Sequence, residues 1–120
     1  MAEVSALEPG EIFAEFEAQP PLRRPELIKQ YLGMSVDWPV TFASAWESNS
    51  GMARVIFRFG RANVRMIAGD VSLSNYPQLK RLRAGEALRV RGRIRGVSIL
   101  SIELDITELL FCLEAEPVAA

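Results

Sequence analysis

Histidine is absent from this chain of 120 residues, and there is a single cysteine, Cys112. The first absence removes the commonest general base and the commonest metal ligand. The second rules out an internal disulfide and is typical of a reducing compartment. A structural zinc site could be assembled only from carboxylates. We therefore expect no metal and no cofactor.

The sequence also lacks a phosphate-binding glycine-rich loop, a nucleophile elbow and a calcium loop. Carboxylate pairs such as Glu103 and Asp105 do occur, but at strand spacing beside arginines. Nothing here meets the requirements of a catalytic constellation. We expect that the protein is not an enzyme.

Long apolar segments are missing too. No run approaches the ~20 residues that a membrane-spanning helix needs. Residues 1–8 are acidic and lack the basic-then-apolar plan of a secretory signal. These features predict a cytoplasmic protein with no membrane partner.

What the chain does have is strongly segregated charge, hidden by a net charge of −1. Residues 54–95 contain eleven basic and two acidic side chains, whereas the segments on either side are acidic. Such asymmetry indicates either an anionic partner or pairing within the fold.

The clearest single pattern lies in residues 86–95, where arginine alternates with apolar residues. Leu88, Val90 and Ile94 share one parity, and the other carries Arg89, Arg91, Arg93 and Arg95. Successive side chains of a strand point to opposite faces. The segment is therefore predicted to be a strand with one buried face and one cationic face.

Two helical segments precede the strands. Residues 9–18 place Ile12, Phe13 and Phe16 at helical spacing, and prolines follow. Pro25 and Gly33 bracket a second helix, 25–32, with an apolar stripe of Leu27, Ile28, Tyr31 and Leu32.

Period-two alternation predicts five strands, at 35–47, 52–59, 62–69, 86–95 and 99–111. A short helix over 76–84, capped by Ser74 or Asn75 and ended by Gly85, separates the third from the fourth. The residues expected to face the core are Val36, Trp38, Val40, Phe42, Ser44 and Trp46; Val55, Phe57 and Phe59; Val64, Met66 and Ala68; Leu79 and Leu82; and Leu100, Ile102, Leu104 and Ile106.

This order predicts a mainly β fold, a five-stranded OB-type Greek-key barrel with a helix between strands three and four. We expect an N-terminal helical extension over 1–33, the barrel over 34–112 and a flexible tail over 113–120.

Two motifs support this fold. A Tyr31-x-Gly33 element leads into the first strand, and the helix-to-strand link reads Leu79-Lys80-x-Leu82-x-x-Gly85-Glu86-x-Leu88-x-Val90-x-Gly92. With these motifs the chain resembles the tRNA-anticodon-binding-like OB family of small bacterial proteins, over about residues 25–111. The resemblance implies the fold more than a function, because the motif residues belong to turns and core. Members often carry an export signal, which we do not see here.

The arginines admit two interpretations. A turn at Gly96–Ser98 would place Arg91 opposite Glu103 and Arg89 opposite Asp105, so we favour structural pairing for these two. That register leaves Arg93 opposite Ser101 and Arg95 without an acid.

The outer face of strands two and three is the usual ligand surface of an OB barrel. It would display Arg54, Ile56, Arg58, Asn63, Arg65 and Ile67. Single-strand binders normally add aromatic platforms for bases, but Trp38 and Trp46 both fall on the core parity and are expected to fill the core. Trp46, near the turn, could instead be half exposed. Only the electrostatic half of a nucleic-acid site is predicted.

The first hypothesis is weak, sequence-tolerant binding of single-stranded DNA or RNA, through Arg54, Arg58, Asn63, Arg65, Arg93 and Arg95. The second is a protein-interaction or self-association module, which would use the helical extension, the edge of strand one or its outer residues Thr41, Ala43 and Ala45. The acidic helix 9–18 could cover the barrel, dock on another protein or fold back over the cationic face.

Overall fold

The structure is a computed structural model that describes residues 7–48, 51–59 and 65–111. Two helices come first, α1 (Pro9–Ala18) and α2 (Arg24–Tyr31), with a 3₁₀ turn at Pro21–Arg23 between them. Five strands follow: β1 (Ser35–Glu47), β2 (Met52–Arg58), β3 (Met66–Ser72), β4 (Ala87–Val97) and β5 (Ser101–Phe111). A 3₁₀ helix, Pro77–Arg81, lies between β3 and β4.

The five strands close into a barrel in the order β1-β2-β3-β5-β4, and β4 pairs back onto β1. Every pairing is antiparallel except that of β3 with β5. This is the strand order of a five-stranded OB-type Greek-key barrel. The fold predicted from the sequence is confirmed, including the helical N-terminal extension and the helical element between β3 and β4.

The core lies inside the barrel and is built by the predicted alternation along most strands. On β4, for example, Leu88, Val90 and Ile94 are buried and the arginines between them are exposed. Burying an aliphatic or aromatic side chain of this size contributes about 1.5–3 kcal/mol. The interior is formed chiefly by Val36, Trp38, Val40, Val55, Phe57, Ile67, Leu88, Val90, Ile94, Ile102 and Leu104.

The N-terminal helices cover one end of this core. Ile12, Phe13 and Phe16 are all buried, and the Phe13 ring stacks on Phe59 with 5.6 Å between ring centroids. The Trp38 indole Nε1 donates a hydrogen bond of 2.7 Å to the backbone oxygen of Leu7. The covering role predicted for helix 9–18 is confirmed, and its apolar side is not available to another protein.

Helix α2 joins this cover through Leu27 and Tyr31, which are buried. The Tyr31 hydroxyl donates a hydrogen bond to the Glu15 carboxylate of α1. Burial of the hydroxyl raises the pKa of Tyr31 well above its ordinary value, and the contact with the negatively charged Glu15 raises it further. Leu32 was expected in the buried stripe but is exposed, because the helix ends at Tyr31 and the backbone of Leu32 is already extended.

The 3₁₀ helix lies against the core near the C-terminal end of β5. Leu79 and Leu82 are buried, as expected, and the Tyr76 ring contacts Phe111 at a centroid distance of 6.1 Å. The helix is shorter than the predicted 76–84 and is not capped by Ser74 or Asn75. It begins at Pro77, whose fixed φ suits a first helical position, and it ends because Leu82 is extended.

Strand β1 contains an irregularity that reverses its faces. Phe42 pairs with Phe57, but the next paired residue is Ser44, opposite Ile56, so Ala43 is an extra residue. A β-bulge of this kind shifts side-chain parity by one. Ala45 therefore packs against the core, and Trp46 is 52% exposed. The favoured prediction, that Trp46 fills the core, is wrong, and the alternative of a half-exposed ring near the turn is confirmed.

Strand β3 lies later in the chain than predicted and has the opposite parity. It spans Met66–Ser72 instead of 62–69, and Ile67, expected outside, is fully buried. The reason is its register on β2, because Ile67 lies opposite the inward-facing Phe57. Ala68 consequently lies on the outward parity, where its small side chain is covered and only 1% exposed. Asn63 and Val64 lie outside the described residues.

The connection between β4 and β5 also differs from the predicted turn. Strand β4 continues to Val97, and the turn is Ser98–Leu100, where the Ser98 hydroxyl accepts hydrogen bonds from the backbone N–H groups of Leu100 and Ser101. Leu100 is therefore exposed instead of inward. A bulge on β4 and a second bulge on β5 offset each other, so Arg91 lies opposite Glu108, and Arg93, between the bulges, lies opposite Asp105.

One of these bulges depends on Gly92. A Cβ atom at this position would lie 2.5 Å from the backbone oxygen of Asp105, closer than real Cβ contacts allow. The absence of a side chain lets β5 approach β4 closely where the register shifts between Arg91 and Gly92. Gly92, the last residue of the helix-to-strand motif described above, is thus needed for the close approach of the two backbones.

Candidate nucleic-acid interface

The outer surface of β1, β2 and β3 carries one exposed aromatic ring. Trp46 on β1 lies directly opposite Arg54 on β2, which in turn lies opposite Asp70 on β3. The adjacent outward row is Ser44, Ile56 and Ala68. We call these six residues the Trp46 face. It occupies the strand surface with which OB barrels usually bind oligonucleotides.

Trp46 gives this face an aromatic ring, which the sequence analysis did not assign to the ligand surface. Half of the side chain is open to solvent, whereas Trp38 on the same strand is 2% exposed. An exposed indole offers a flat apolar surface on which a nucleobase stacks, a contact worth about 1–3 kcal/mol. The sequence signal was Ser44, a polar residue in the supposed inward series, which marks the bulge that turns Trp46 outward.

A shallow hollow adjoins the Trp46 face at the end of the barrel. Its volume is about 190 Å³, and its apolar floor includes Leu73 and Leu79. Lys80 and Glu47 also line it. Within the described ranges no carboxylate lies within 4.0 Å of the Lys80 ammonium, so Lys80 is a cation available beside the tryptophan.

Arg54, a predicted ligand residue, is paired with carboxylates. Its Nη2 lies 2.6 Å from both carboxylate oxygens of Glu103, and its Nη1 lies 3.4 Å from Asp70. The guanidinium reaches Glu103 on β5 by crossing β3, where Ala68 leaves room for it. The hydrogen bonds to Glu103 outweigh partial burial and raise the pKa of Arg54.

Arg95 completes the same group. Its Nη2 lies 3.7 Å from Asp70 and 3.6 Å from Glu103. Arg54, Asp70, Arg95 and Glu103 form what we call the Arg54 cluster, in which two positive charges meet two negative ones. The expectation that Arg95 lacks an acid is wrong, because the later turn brings Glu103 opposite Gly96, next to Arg95.

Arg65 is held by the N-terminal extension. It forms an ion pair with Glu17 of α1, and its guanidinium lies 5.1 Å from the centroid of the Phe13 ring. The acidic helix therefore covers part of the predicted cationic face as well as the core. Arg65 serves the docking of α1, and the structure does not bring it into the Arg54 cluster.

The remaining predicted ligand residues are dispersed. Arg58 lies on the outer side of β2 in register with Thr41. Arg93 is exposed on β4, and none of the described carboxylates lies within ion-pair distance of it. Asn63 lies outside the described residues. Of the five predicted residues that the structure describes, Arg54 and Arg95 meet in one cluster, and Arg65 is held separately by α1.

The preference for structural pairing at Arg89 and Arg91 is confirmed, although the partners differ from those predicted. Both donate to Asp37 on β1, at 2.9 and 3.0 Å, and Arg91 also donates to Glu108 at 3.0 Å. Burial of Asp37 acts to raise its pKa, but the hydrogen bonds from Arg91 and Arg89 outweigh it and lower the pKa. The predicted partners, Asp105 and Glu103, were wrong because the register was wrong.

Over the described ranges, no three acidic or cysteine side chains come together as a possible metal-ligand set. None of the helices seen there is long and apolar enough to cross a membrane.

No known family profile matches this chain, and neither does any curated protein. Its fold is similar to a crystal structure from Klebsiella pneumoniae, described as a "putative nucleic acid-binding lipoprotein". The two share 13% sequence identity with a TM-score of 0.60, over 88% of this chain and 92% of that one. At this identity the likeness supports the fold.

Proposed function

We propose that this protein is a non-catalytic OB-fold module that binds single-stranded DNA or RNA weakly and with little sequence preference. The proposal places it in the cytoplasm of a bacterium and in the tRNA-anticodon-binding-like OB family that its motifs resemble. Binding takes place on the Trp46 face, with Lys80 at its border.

The observation that carries the proposal is the exposed Trp46 ring opposite Arg54. A large aromatic side chain is costly to leave in water, and single-strand binders use such rings as stacking platforms. Lys80 supplies a positive charge for a phosphate near the stacked base. The description of the Klebsiella protein as nucleic acid-binding agrees with this assignment.

The site differs from the one predicted from the sequence. Arg54 and Arg95 are balanced by carboxylates, and Arg65 is held by α1, so base stacking contributes more than a cationic stripe. One stacked base and one or two phosphate contacts correspond to weak binding, with a Kd on the order of 10⁻⁵ M at low salt.

Part of the surface named for a protein-interaction module is used within the chain. The barrel closes, and β1 pairs with β4 through residues 35–41 and with β2 through residues 41–47. The apolar residues of α1 are buried, and Ala45 packs against the core. For these reasons nucleic-acid binding is the function we put forward.

The test is a titration of fluorescein-labelled single-stranded DNA and RNA, read by fluorescence anisotropy at two salt concentrations. Trp46→Ala should weaken binding by about 5-fold or more, as expected for a lost base stack. Leu22→Ala removes an apolar side chain that is 94% exposed outside the Trp46 face, and it should bind like the wild type. No detectable binding at low salt, or equal binding by Trp46→Ala, would overturn the proposal.

A further inference from the structure

Glu103 on β5 binds Arg54 of the Trp46 face at the position where the phosphate of a bound nucleic acid would be expected to meet this arginine. We propose that Glu103 is an intramolecular competitor for the nucleic-acid phosphate, and that it selects single-stranded ligands over duplexes. The inference rests on the proposed function, because it concerns the same face.

The geometry of the Arg54 cluster supports this role. Glu103 lies between the two guanidinium groups, 2.6 Å from Arg54 and 3.6 Å from Arg95. Asp70 makes longer contacts with the same two arginines, 3.4 and 3.7 Å. A carboxylate offers a guanidinium two oxygens in a plane, as a phosphate does. Glu103 is therefore the main occupant of the anion position.

The cluster remains accessible enough for exchange. The Arg54 and Glu103 side chains are each 28% exposed, and Arg95 is about half exposed. A phosphate from solvent can reach these groups, but it must first displace a carboxylate held at short distance. Arg54 adjoins Trp46 in the strand register, so a ligand stacked on the ring brings its backbone to this cluster.

Pairing within the protein has a consequence for the choice of ligand. Duplex DNA presents mainly phosphates, because its bases are stacked inside. A face whose arginines are already neutralised gains little from those phosphates. A single strand offers unstacked bases to Trp46 and binds without needing the arginines. Glu103 thus lowers affinity for duplex more than for single strand.

The experiment compares Glu103→Gln with Glu108→Gln, using a labelled oligothymidylate and a labelled duplex of the same length. Both substitutions remove one negative charge, but Glu108 pairs with Arg91 and does not touch the Arg54 cluster. We expect Glu103→Gln to raise affinity for the single strand about 3- to 10-fold and for the duplex by more. The slope of log K against log salt should steepen by about 0.7 for the single strand and about 0.9 for the duplex, which corresponds to one additional phosphate contact in each case.

Asp70→Asn provides a second variant, should Glu103→Gln fail to fold. Asp70→Asn should raise affinity for both ligands in the same way but by less, because Asp70 lies farther than Glu103 from the two arginines. Equal affinities for Glu103→Gln and Glu108→Gln would overturn the inference, and so would an equal gain for both ligands. If the inference fails in this way but the wild type still binds and Trp46→Ala does not, the proposed function holds without the role of Glu103. If neither the wild type nor any variant binds, both proposals fail.

Discussion

Trp38 and Trp46 belong to the same strand but lie on opposite sides of the barrel wall. Trp38 is buried, and its indole nitrogen is bonded to the backbone of Leu7, whereas the Trp46 ring is open to solvent. The bulge at Ala43 separates the two environments. Trp46 is therefore the ring that a ligand or quencher can reach.

Fluorescence should distinguish the two rings. The variant Trp46→Phe, which keeps only Trp38, should emit at shorter wavelength and resist quenching by acrylamide. The variant Trp38→Phe should emit at longer wavelength and be quenched readily. Similar quenching constants for the two variants would contradict the reversed parity of β1 after Ala43.

The N-terminal extension should be part of one cooperative unit with the barrel. Phe13→Ala removes a fully buried ring that stacks on Phe59 and lies under Arg65, so the free energy of unfolding should fall by about 3 kcal/mol. Urea unfolding followed by circular dichroism should still show a single transition. Leu22→Ala, in the exposed turn before α2, should change stability by less than about 0.5 kcal/mol. A small effect of Phe13→Ala would mean that α1 is only loosely attached.

Acid should weaken the contribution of Asp37. Its pKa is lowered in the folded protein, so the carboxylate stabilises the fold above its ordinary value of 3.8, and that contribution is lost as pH falls through the lower folded value. Asp37→Asn should reduce the free energy of unfolding at pH 7 by about 1 kcal/mol.

Chemical denaturation of both proteins from pH 7 to pH 2 gives the comparison. The wild type and Asp37→Asn should differ at neutral pH and converge near pH 2. Glu26→Gln on the exposed side of α2 is the control and should follow the wild type throughout. A difference that stays constant with pH would show that the ion pairs with Arg89 and Arg91 do not stabilise the fold.

Gly92 should not tolerate a side chain. Gly92→Ala places a Cβ against the backbone oxygen of Asp105, and the strain should lower the free energy of unfolding by about 1–3 kcal/mol. Gly10→Ala is the matched control, because nothing lies within 4 Å of the position that its methyl group would take, and alanine favours a helix. Thermal unfolding should therefore shift down for the first variant and slightly up for the second.

The sequence predicted the barrel and most of its core because period-two alternation holds wherever strands pair regularly. Leu88, Val90 and Ile94 are examples, as are Val55 and Phe57. It failed where one extra residue changes the parity, since a bulge depends on the register of the partner strand and leaves little local signal. Ser44 in the apolar series of β1 was such a signal, and it marks the outward turn of Trp46.

The site was harder to predict for the same reason. Arginines are visible in the sequence, but their partners are fixed by register and by contacts across several strands. Asp37 meets Arg89 and Arg91 across the β1–β4 pairing, and Glu103 meets Arg54 across β3. Counting charges along the chain shows that basic and acidic residues are segregated in sequence. It does not show that the fold brings carboxylates against the arginines.

The central claim is that a nucleobase stacks on Trp46, and the Trp38→Phe variant tests it directly because Trp46 is then the only tryptophan. Titration with unlabelled oligothymidylate at low salt should quench its fluorescence saturably, with the same Kd as anisotropy of a labelled strand. Anisotropy that reports binding while the emission of Trp46 stays unchanged would contradict the account.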